Sequence, residues 1–289
     1  MPPTILILLI KINPSKSIKD TSMTTLTILI TGASKGIGLA TAKRLAKKGH
    51  RLALFDIDTD SLATISKDKT FAKLNKKHAL ITGTMDVTNP NDWDNALATT
   101  LQSFGNIHVL INNAGVIVSG DLPDTKLTQQ LSLIDINCKG VMIGCHKVGK
   151  LLQTSPSPYS KIINLSSASA IYGQPEIAPY SASKFFVRGL TEALNLEYEP
   201  KGIKVIDVMP LWVKTDLTDG ITVTSIDRLG LQLTADDVAK KLAQLSTIPN
   251  QDIDKVHYPI GFTSHLLYQL ADIIPSPMVR VINGRFASR

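Results

Sequence analysis

Tyr180-Ser-Ala-Ser-Lys184 sets a phenol and an ammonium four residues apart, on one face of a helix. A lysine cation beside a tyrosine stabilises the phenolate and lowers the phenol pKa from its usual value of about 10. Such a phenol serves as a general acid–base nearer neutral pH. Ser167 stands thirteen residues earlier, in Asn164-Leu-Ser-Ser-Ala-Ser169. Its hydroxyl suits a carbonyl or alcohol oxygen. A Tyr/Lys pair standing alone reads as an ordinary helix start; with Ser167 it reads as proton transfer at an oxygen-bearing carbon.

A second set of residues suits a dinucleotide. Residues 26–30 are aliphatic or β-branched and read as a buried strand, followed by Gly32, Gly36 and Gly38 and then a helical pattern over 37–48. Glycines let the backbone turn tightly against phosphates, whose charge faces the N–H groups of the helix start. Ser34, Lys35 and Ile37 fill the positions between them. The spacing is Gly-x-x-x-Gly-x-Gly, and alone it also fits a plain tight turn. Asp56 closes the next strand, 18 residues after Gly38. An acid there accepts from the adenosine ribose hydroxyls and repels a 2′-phosphate, which favours NAD(H). Lys35 argues for NADP(H), the alternative. Asp86 and Val87 follow the third strand, where a carboxylate accepts from an adenine amino group and a small apolar residue covers the ring. Asn112-Asn113-Ala114-Gly115 follows the fourth, with amides to fix backbone and cofactor and small residues that permit close approach.

The elements that must position these groups alternate along the chain. Strands are expected at 51–56, 78–84, 107–111, 161–165, 203–208 and 255–258. Helices are expected at 61–77, from Asn89-Pro90 onward, and at 127–152, 180–198 and 234–245. Strands alternating with helices of this length imply an α/β fold: a doubly wound parallel sheet in three layers, α/β/α, with ligands at the carboxyl ends of the strands.

The chain resembles the single-domain short-chain dehydrogenase/reductases, a Rossmann-type family of roughly 250 residues. The resemblance rests on Thr31-Gly-x-x-x-Gly-x-Gly38, Asp86-Val87, Asn112-Asn-Ala-Gly115, Asn137, Ser167, Tyr180-x-x-x-Lys184 and Pro210, and covers about residues 24–261. It implies that Tyr180 transfers the proton while nicotinamide C4 gives or takes the hydride. It further implies that Lys184 holds the nicotinamide ribose, that Ser167 orients the substrate, and that Asn137 kinks its helix and positions a relay water. Val213 and Thr215 would contact the carboxamide. Where the family often has Pro-Gly, this chain has Pro210-Leu211-Trp212, so Leu211 and Trp212 change the substrate pocket, as wall or as packing. Residues 215–229 correspond to a mobile substrate lid. A homodimer or homotetramer through the helices after strands four and five is also implied.

With 43% hydrophobic and 19% charged residues, the 289-residue chain has the composition of a globular protein with a substantial core. Its net charge of +7 is scattered over helix faces without aromatic interleaving, which speaks against nucleic acid as a partner. Cys138 and Cys145 form neither a disulfide framework nor a metal site, and suit a reducing, cytoplasmic setting. Residues 1–22 read as a disordered or dispensable extension, and 23–261 as one domain. Residues 262–289 read as an apolar tail, ending in Arg280, Arg285 and Arg289, that packs on the domain or at a subunit interface. Peripheral membrane contact is the tail's second reading, and its character hints at a lipophilic substrate. The expected activity is hydride transfer between a nicotinamide cofactor and an alcohol or ketone. The alternatives are an NADPH-dependent reductase of 3-oxoacyl thioesters or other carbonyls and a non-catalytic dinucleotide sensor or scaffold.

Overall fold

The computed structural model describes residues 24–231 and 233–271, together with Pro277, Met278, Val281 and Gly284. The extension at 1–22 and the arginines 280, 285 and 289 lie outside the described residues. The chain begins with β1 (Thr27–Thr31), α1 (Gly36–Lys47), β2 (Arg51–Asp56), α2 (Thr59–Ile65), α3 (Ala72–Lys76), β3 (Leu80–Thr84), α4 (Pro90–Phe104) and β4 (Val109–Asn112). Next come α5 (Leu127–Ile134), α6 (Val141–Thr154), β5 (Lys161–Leu165) and α7 (Ala178–Tyr198). The last part holds β6 (Lys204–Pro210), β7 (Val213–Lys214), α8 (Thr224–Leu229), β8 (Leu233–Thr234), α9 (Ala235–Thr247), β9 (His257–Ile260) and α10 (Phe262–Ala271).

Seven strands form one parallel sheet in the order β3-β2-β1-β4-β5-β6-β9. The strand order reverses between β1 and β4, and the crevice at that point is where a doubly wound sheet takes its ligand. Side chains alternate across β1: Ile28 and Ile30 enter the core under α1 and α9, while Leu29 enters the core under α4, α6 and α7. Burial on both faces explains why the strand reads as an unbroken apolar run. Helix α4 is capped as its sequence suggests, with Asn89 accepting from the Asn91 N–H, Pro90 in the first turn, and Gly105 closing the end at φ +79°.

Three expectations change. The helix over 61–77 is two short helices, because Asp68 accepts the Thr70 N–H and starts a new turn at 69–71. His78, at φ +50°, delays the third strand to residue 80. The helix over 127–152 is interrupted by a π-helical segment, Asp135–Gly140, that carries Asn137 and Cys138. Both cysteines are free thiols, and Cys145 is fully buried in α6. At the far end α10 packs on β9 and on the turn Ala168–Ala170, with the Arg188 guanidinium 5.2 Å from the Tyr268 ring centroid. No helix among the described residues is long and apolar enough to cross a membrane.

Candidate active site

At the end of β1, Gly32 adopts φ +62° and Gly36 φ +54°, conformations that side chains resist. Gly38 is required by contact rather than by torsion, since a Cβ there would lie 2.1 Å from the Gly32 carbonyl oxygen. The Asn113 side chain staples the turn to β4, donating to the carbonyls of Thr31 (3.0 Å) and Gly32 (2.8 Å), while the Thr31 hydroxyl accepts the N–H groups of Asn113 and Ala114. Helix α1 starts at Gly36 with no side-chain cap, and the buried Ser34 Oγ has no partner among the described residues. Uncapped N–H groups, an orphan hydroxyl and a glycine floor fit a dinucleotide pyrophosphate. Asp56 accepts from the backbone N–H groups of Ser34 (2.9 Å) and Asp58 (3.1 Å), which fixes its carboxylate beside the turn. Lys35 points away, 3.7 Å from the Asp58 carboxylate. Asp86 accepts the Thr88 N–H, and Val87 packs where a Cβ on Gly140 would stand, so the π segment closes on the strand end that Val87 occupies.

Ser167, Tyr180 and Lys184 meet in one cleft at the carboxyl ends of β4, β5 and β6. The extended strand β5 presents Ser167, whose hydroxyl donates to the Pro210 carbonyl (3.4 Å). Helix α7 brings up Tyr180 and Lys184 on one face, with the lysine Nζ 5.4 Å from the tyrosine ring centroid and donating to the Leu165 carbonyl (2.8 Å). Burial pushes the Tyr180 phenol up to about 12, and the Ser167 hydrogen bond offsets part of that. Burial likewise draws the Lys184 ammonium down to about 8. The sequence leads to the opposite direction for Tyr180. Here burial is the larger cause, and the neutral phenol is a proton donor.

Asn137 lies behind this trio with no exposed surface. Its side chain accepts the Val116 N–H (2.9 Å) and donates to the Val116 carbonyl (2.9 Å) and the Ser183 hydroxyl (3.1 Å). It joins the π segment to the strand-four loop and to α7, one residue before Lys184.

Ile37, Asn113, Gly115, Pro210, Val213 and Thr215 line the same cleft, and Thr215 closes against Gly36. Gly32, Ser34, Lys35, Gly36, Gly38, Asp56, Asp86, Val87 and Ala114 do not line it; they stand at or just beyond the carboxyl ends of β1, β2, β3 and β4. Leu211 and Trp212 are both wall and packing: they line the cleft and belong to a small apolar cluster with Ala168, Ile177 and Val223. The Trp212 indole donates to Ser225 on α8 (3.2 Å), and Glu176 accepts the Thr224 N–H (2.7 Å), so the start of α8 is tied to two residues beside the cleft. Ser169, Gln174 and Ile177 also line it and were not expected from the sequence. Their only signal is a place between Ser167 and Tyr180, on the loop joining β5 to α7.

A short chain dehydrogenase family model matches residues 26–225. The chain is 34% identical to a 3-alpha-(or 20-beta)-hydroxysteroid dehydrogenase of Mycobacterium tuberculosis over 67% of its own length and 71% of the relative's. Among solved structures it is similar to the 3-ketoacyl-(acyl-carrier-protein) reductase of Brucella melitensis complexed with NADH, with a TM-score of 0.73, 26% identity, and coverage of 82% of this chain and 97% of that one. It is also similar to ElxO with NADP bound (TM-score 0.72, 27% identity, 82% and 97% covered). With the family's length matched from β1 into α8 and a glycine turn that fits a dinucleotide, the chain belongs to the short chain dehydrogenase family and is a nicotinamide-dependent oxidoreductase acting on CH–OH groups.

Proposed function

We propose that the chain interconverts a lipophilic alcohol and its ketone with NAD(H) as the partner, using Tyr180 as the proton donor and acceptor at the substrate oxygen. The observation that carries this reading is the meeting of Ser167, Tyr180 and Lys184 in one cleft beside the glycine turn. The bound nicotinamide supplies the hydride. Ser167 holds the substrate oxygen against the Tyr180 hydroxyl, and the neutral phenol gives up its proton as the carbonyl is reduced. Lys184, a cation below about pH 8, holds the phenolate that results and binds the nicotinamide ribose. Asn137 is the positioning residue that fixes α7 to the π segment, and through it a water relays protons toward Lys184. Gly32, Ser34, Gly36 and Gly38 take the pyrophosphate, Asp86 and Val87 the adenine, and Pro210, Val213 and Thr215 the carboxamide.

Asp56 supports NAD(H), because its carboxylate is held by two backbone amides beside the turn while the only cation in that turn, Lys35, is paired with Asp58. Ile117, Ile177, Leu211 and Trp212 in the cleft wall support an apolar substrate, as does the hydroxysteroid relative. An NADPH-dependent reductase of 3-oxoacyl thioesters is the second reading, its substrate favoured by the Brucella neighbour, which itself holds NADH, and its cofactor by the NADP-bound ElxO. Exposed Leu127, Leu131, Met142, Phe185 and Phe186 on α5, α6 and α7 suit a homodimer or homotetramer. The free thiols suit the cytoplasm.

Titration with NADH and with NADPH, followed by nicotinamide fluorescence, tests the cofactor. NADH is expected to bind tighter by tenfold or more, about 1.4 kcal/mol; tighter NADPH overturns the assignment to Asp56. Turnover of lipophilic alcohols and ketones by the wild type and by Tyr180→Phe tests the chemistry. Loss of the hydroxyl is expected to lower kcat by about 10³-fold with NADH affinity retained. Cofactor binding without turnover of any carbonyl or alcohol would leave a sensor or scaffold.

A further inference from the structure

Helix α7 carries three charged residues at intervals of four, Lys184, Arg188 and Glu192, which share one face of the helix. Beneath that face β6 supplies a buried carboxylate. Ile206 and Val208 enter the core under α1 and α9, so Asp207 between them turns to the other side of the sheet, where Val205 joins the core under α4, α6 and α7. Asp207 is 0% exposed and lies in register with Asn164 on β5 and His257 on β9. Asn164 donates to Thr191 on α7 (2.9 Å), which fixes the face. The Lys184 Nζ rests on the carbonyl of Leu165, the next residue of β5 (2.8 Å).

The Asp207 carboxylate is fastened at one oxygen only. Its Oδ2 lies 2.9 Å from the His257 Nδ1, and its Oδ1 has no hydrogen-bond partner among the described residues. The His257 Nε2 faces Glu192 at 3.8 Å, and the ring lies 6.1 Å from that of Tyr268 on α10, centroid to centroid. Arg188 donates to the Ala170 carbonyl (3.2 Å) and lies over Tyr268. A buried carboxylate with an unpaired oxygen is costly unless nearby cations compensate it. Burial raises the Asp207 pKa, and His257, Arg188 and Lys184 oppose that rise. The coupling runs both ways: burial lowers the Lys184 pKa, and Cys138 and Asp207 oppose the fall. Burial raises the Cys138 thiol on the π segment, and it pushes the Tyr180 phenol up to about 12. Of the titratable groups facing Lys184, Asp207 is therefore the anion where the lysine titrates.

We infer that Asp207, fastened by His257, is the counter-ion of Lys184: a positioning residue outside the cleft lining that keeps the lysine a cation over the pH range in which it works. The inference rests on the reading that Lys184 serves Tyr180 as a cation. It extends the charge set of the reaction from α7 to β6 and β9.

The test follows the Lys184 ammonium directly. The full chain is prepared with lysine carrying an NMR-active carbon isotope at Cε, and the Lys184 signal is assigned by its absence in Lys184→Met. Its shift is titrated from about pH 6 to about pH 10 without cofactor. In parallel, kcat for decan-2-one reduction with NADH is measured against pH. Asp207→Asn is expected to lower the Lys184 midpoint by about one pH unit and to move the alkaline limb of kcat down with it. The height of the profile on the acid side is retained, whereas a merely structural role would lower the height and leave the midpoint in place. Glu192→Gln, which removes an exposed charge farther along the same face, is expected to move neither. Should Asp207→Asn fail to fold, Asp207→Ser, smaller and also uncharged, is read in its place. An unmoved midpoint, a limb that stays when the midpoint moves, or an equal shift in Glu192→Gln overturns the assignment. A shifted midpoint in a protein whose wild type reduces no ketone and oxidises no alcohol supports the counter-ion and overturns the alcohol–ketone reading instead.

Discussion

Around the glycine turn, side chains bond to backbone. Asn113 holds the carbonyls of Thr31 and Gly32, Asp56 holds the amides of Ser34 and Asp58, and Thr31 holds two amides of the strand-four loop. Across the cleft, on the β5–α7 loop and under α8, the pattern is different. The Trp212 indole bonds to a serine hydroxyl and the Gln174 side-chain amide to a tyrosine hydroxyl, while the Ser169 Oγ has no partner among the described residues. Backbone is reached by Ser167, at the Pro210 carbonyl, and by Glu176, at the Thr224 amide. Backbone partners do not change when a residue is substituted, so the dinucleotide end is fixed by the fold itself. Side-chain partners change one residue at a time, so the substrate end can be re-lined without moving the sheet. The same division explains why relatives acting on a hydroxysteroid and on a 3-ketoacyl carrier protein share this architecture.

The comparison breaks most readily at Gly38. An added Cβ would press on the Gly32 carbonyl oxygen at 2.1 Å and on the Asn113 amide at 2.7 Å, and neither can retreat without unfastening β1 from β4. Gly38→Ala is expected to cost about 3 kcal/mol of stability, at the upper end of overpacking, and to weaken NADH binding more than tenfold. Urea denaturation and the fluorescence titration read the two effects. A variant with wild-type stability and affinity would show that the turn is adjustable, contrary to the division drawn above.

The opposite end of the sheet, away from the glycine turn, carries a pH dependence. At the start of β1, the His50 Nδ1 accepts the Leu26 N–H (3.2 Å) and the His108 Nδ1 accepts the Thr27 N–H (2.9 Å), which only neutral rings can do. Burial lowers the His50 pKa to about 4, and burial followed by Arg51 lowers that of His108. The unfolded chain titrates near about 6.5. Between these values the unfolded state binds a proton that the folded state refuses, so stability rises with pH through the window and falls as the pH drops from about 6.5 to about 4. His50 should account for roughly 1–2 kcal/mol of that loss after allowance for solvent screening. Denaturant midpoints near pH 7 and pH 4.5 should diverge in the wild type and converge in His50→Gln. Equal divergence in both would remove His50 from the account.

What the sequence made legible follows the same line. Gly38, Asp56, Tyr180 and Lys184 act through local geometry, a strand-to-glycine-to-helix turn or an i, i+4 helix pair, and short-range order is written in short-range spacing. The π segment is not local: Asn137 holds it by reaching Val116 and Ser183, 21 and 46 residues away. Gln174 and Ser169 became visible only once their neighbours were known to leave them unpaired. The raised Tyr180 pKa was hidden for the same reason, since a five-residue motif names the lysine but not the burial of the phenol.

The smallest effect is expected at residues 215–229, where the Glu176 carboxylate reaches the start of α8. Glu176 sits at φ +64°, unusual for a residue with a side chain, and its carboxylate accepts the Thr224 N–H (2.7 Å) at the start of α8, where Val223 provides no side-chain cap. The backbone conformation costs of order 1–3 kcal/mol, so the surrounding contacts, including the Gly120 N–H on the Glu176 carbonyl (2.7 Å), must hold it. A carboxylate at a helix start is worth about 0.3–1 kcal/mol. Glu176→Gln keeps an acceptor and removes the charge, and is expected to raise the substrate KM two- to fivefold, with kcat and NADH affinity unchanged. Glu176→Gly removes the latch and relieves the torsion together. It should raise KM at least as much while the folded state loses less stability than in Glu176→Ala, which keeps the torsion and loses the latch. A change in NADH affinity in either KM variant would mean that the lid and the glycine turn are one unit, and the two ends of the cleft would no longer be separable.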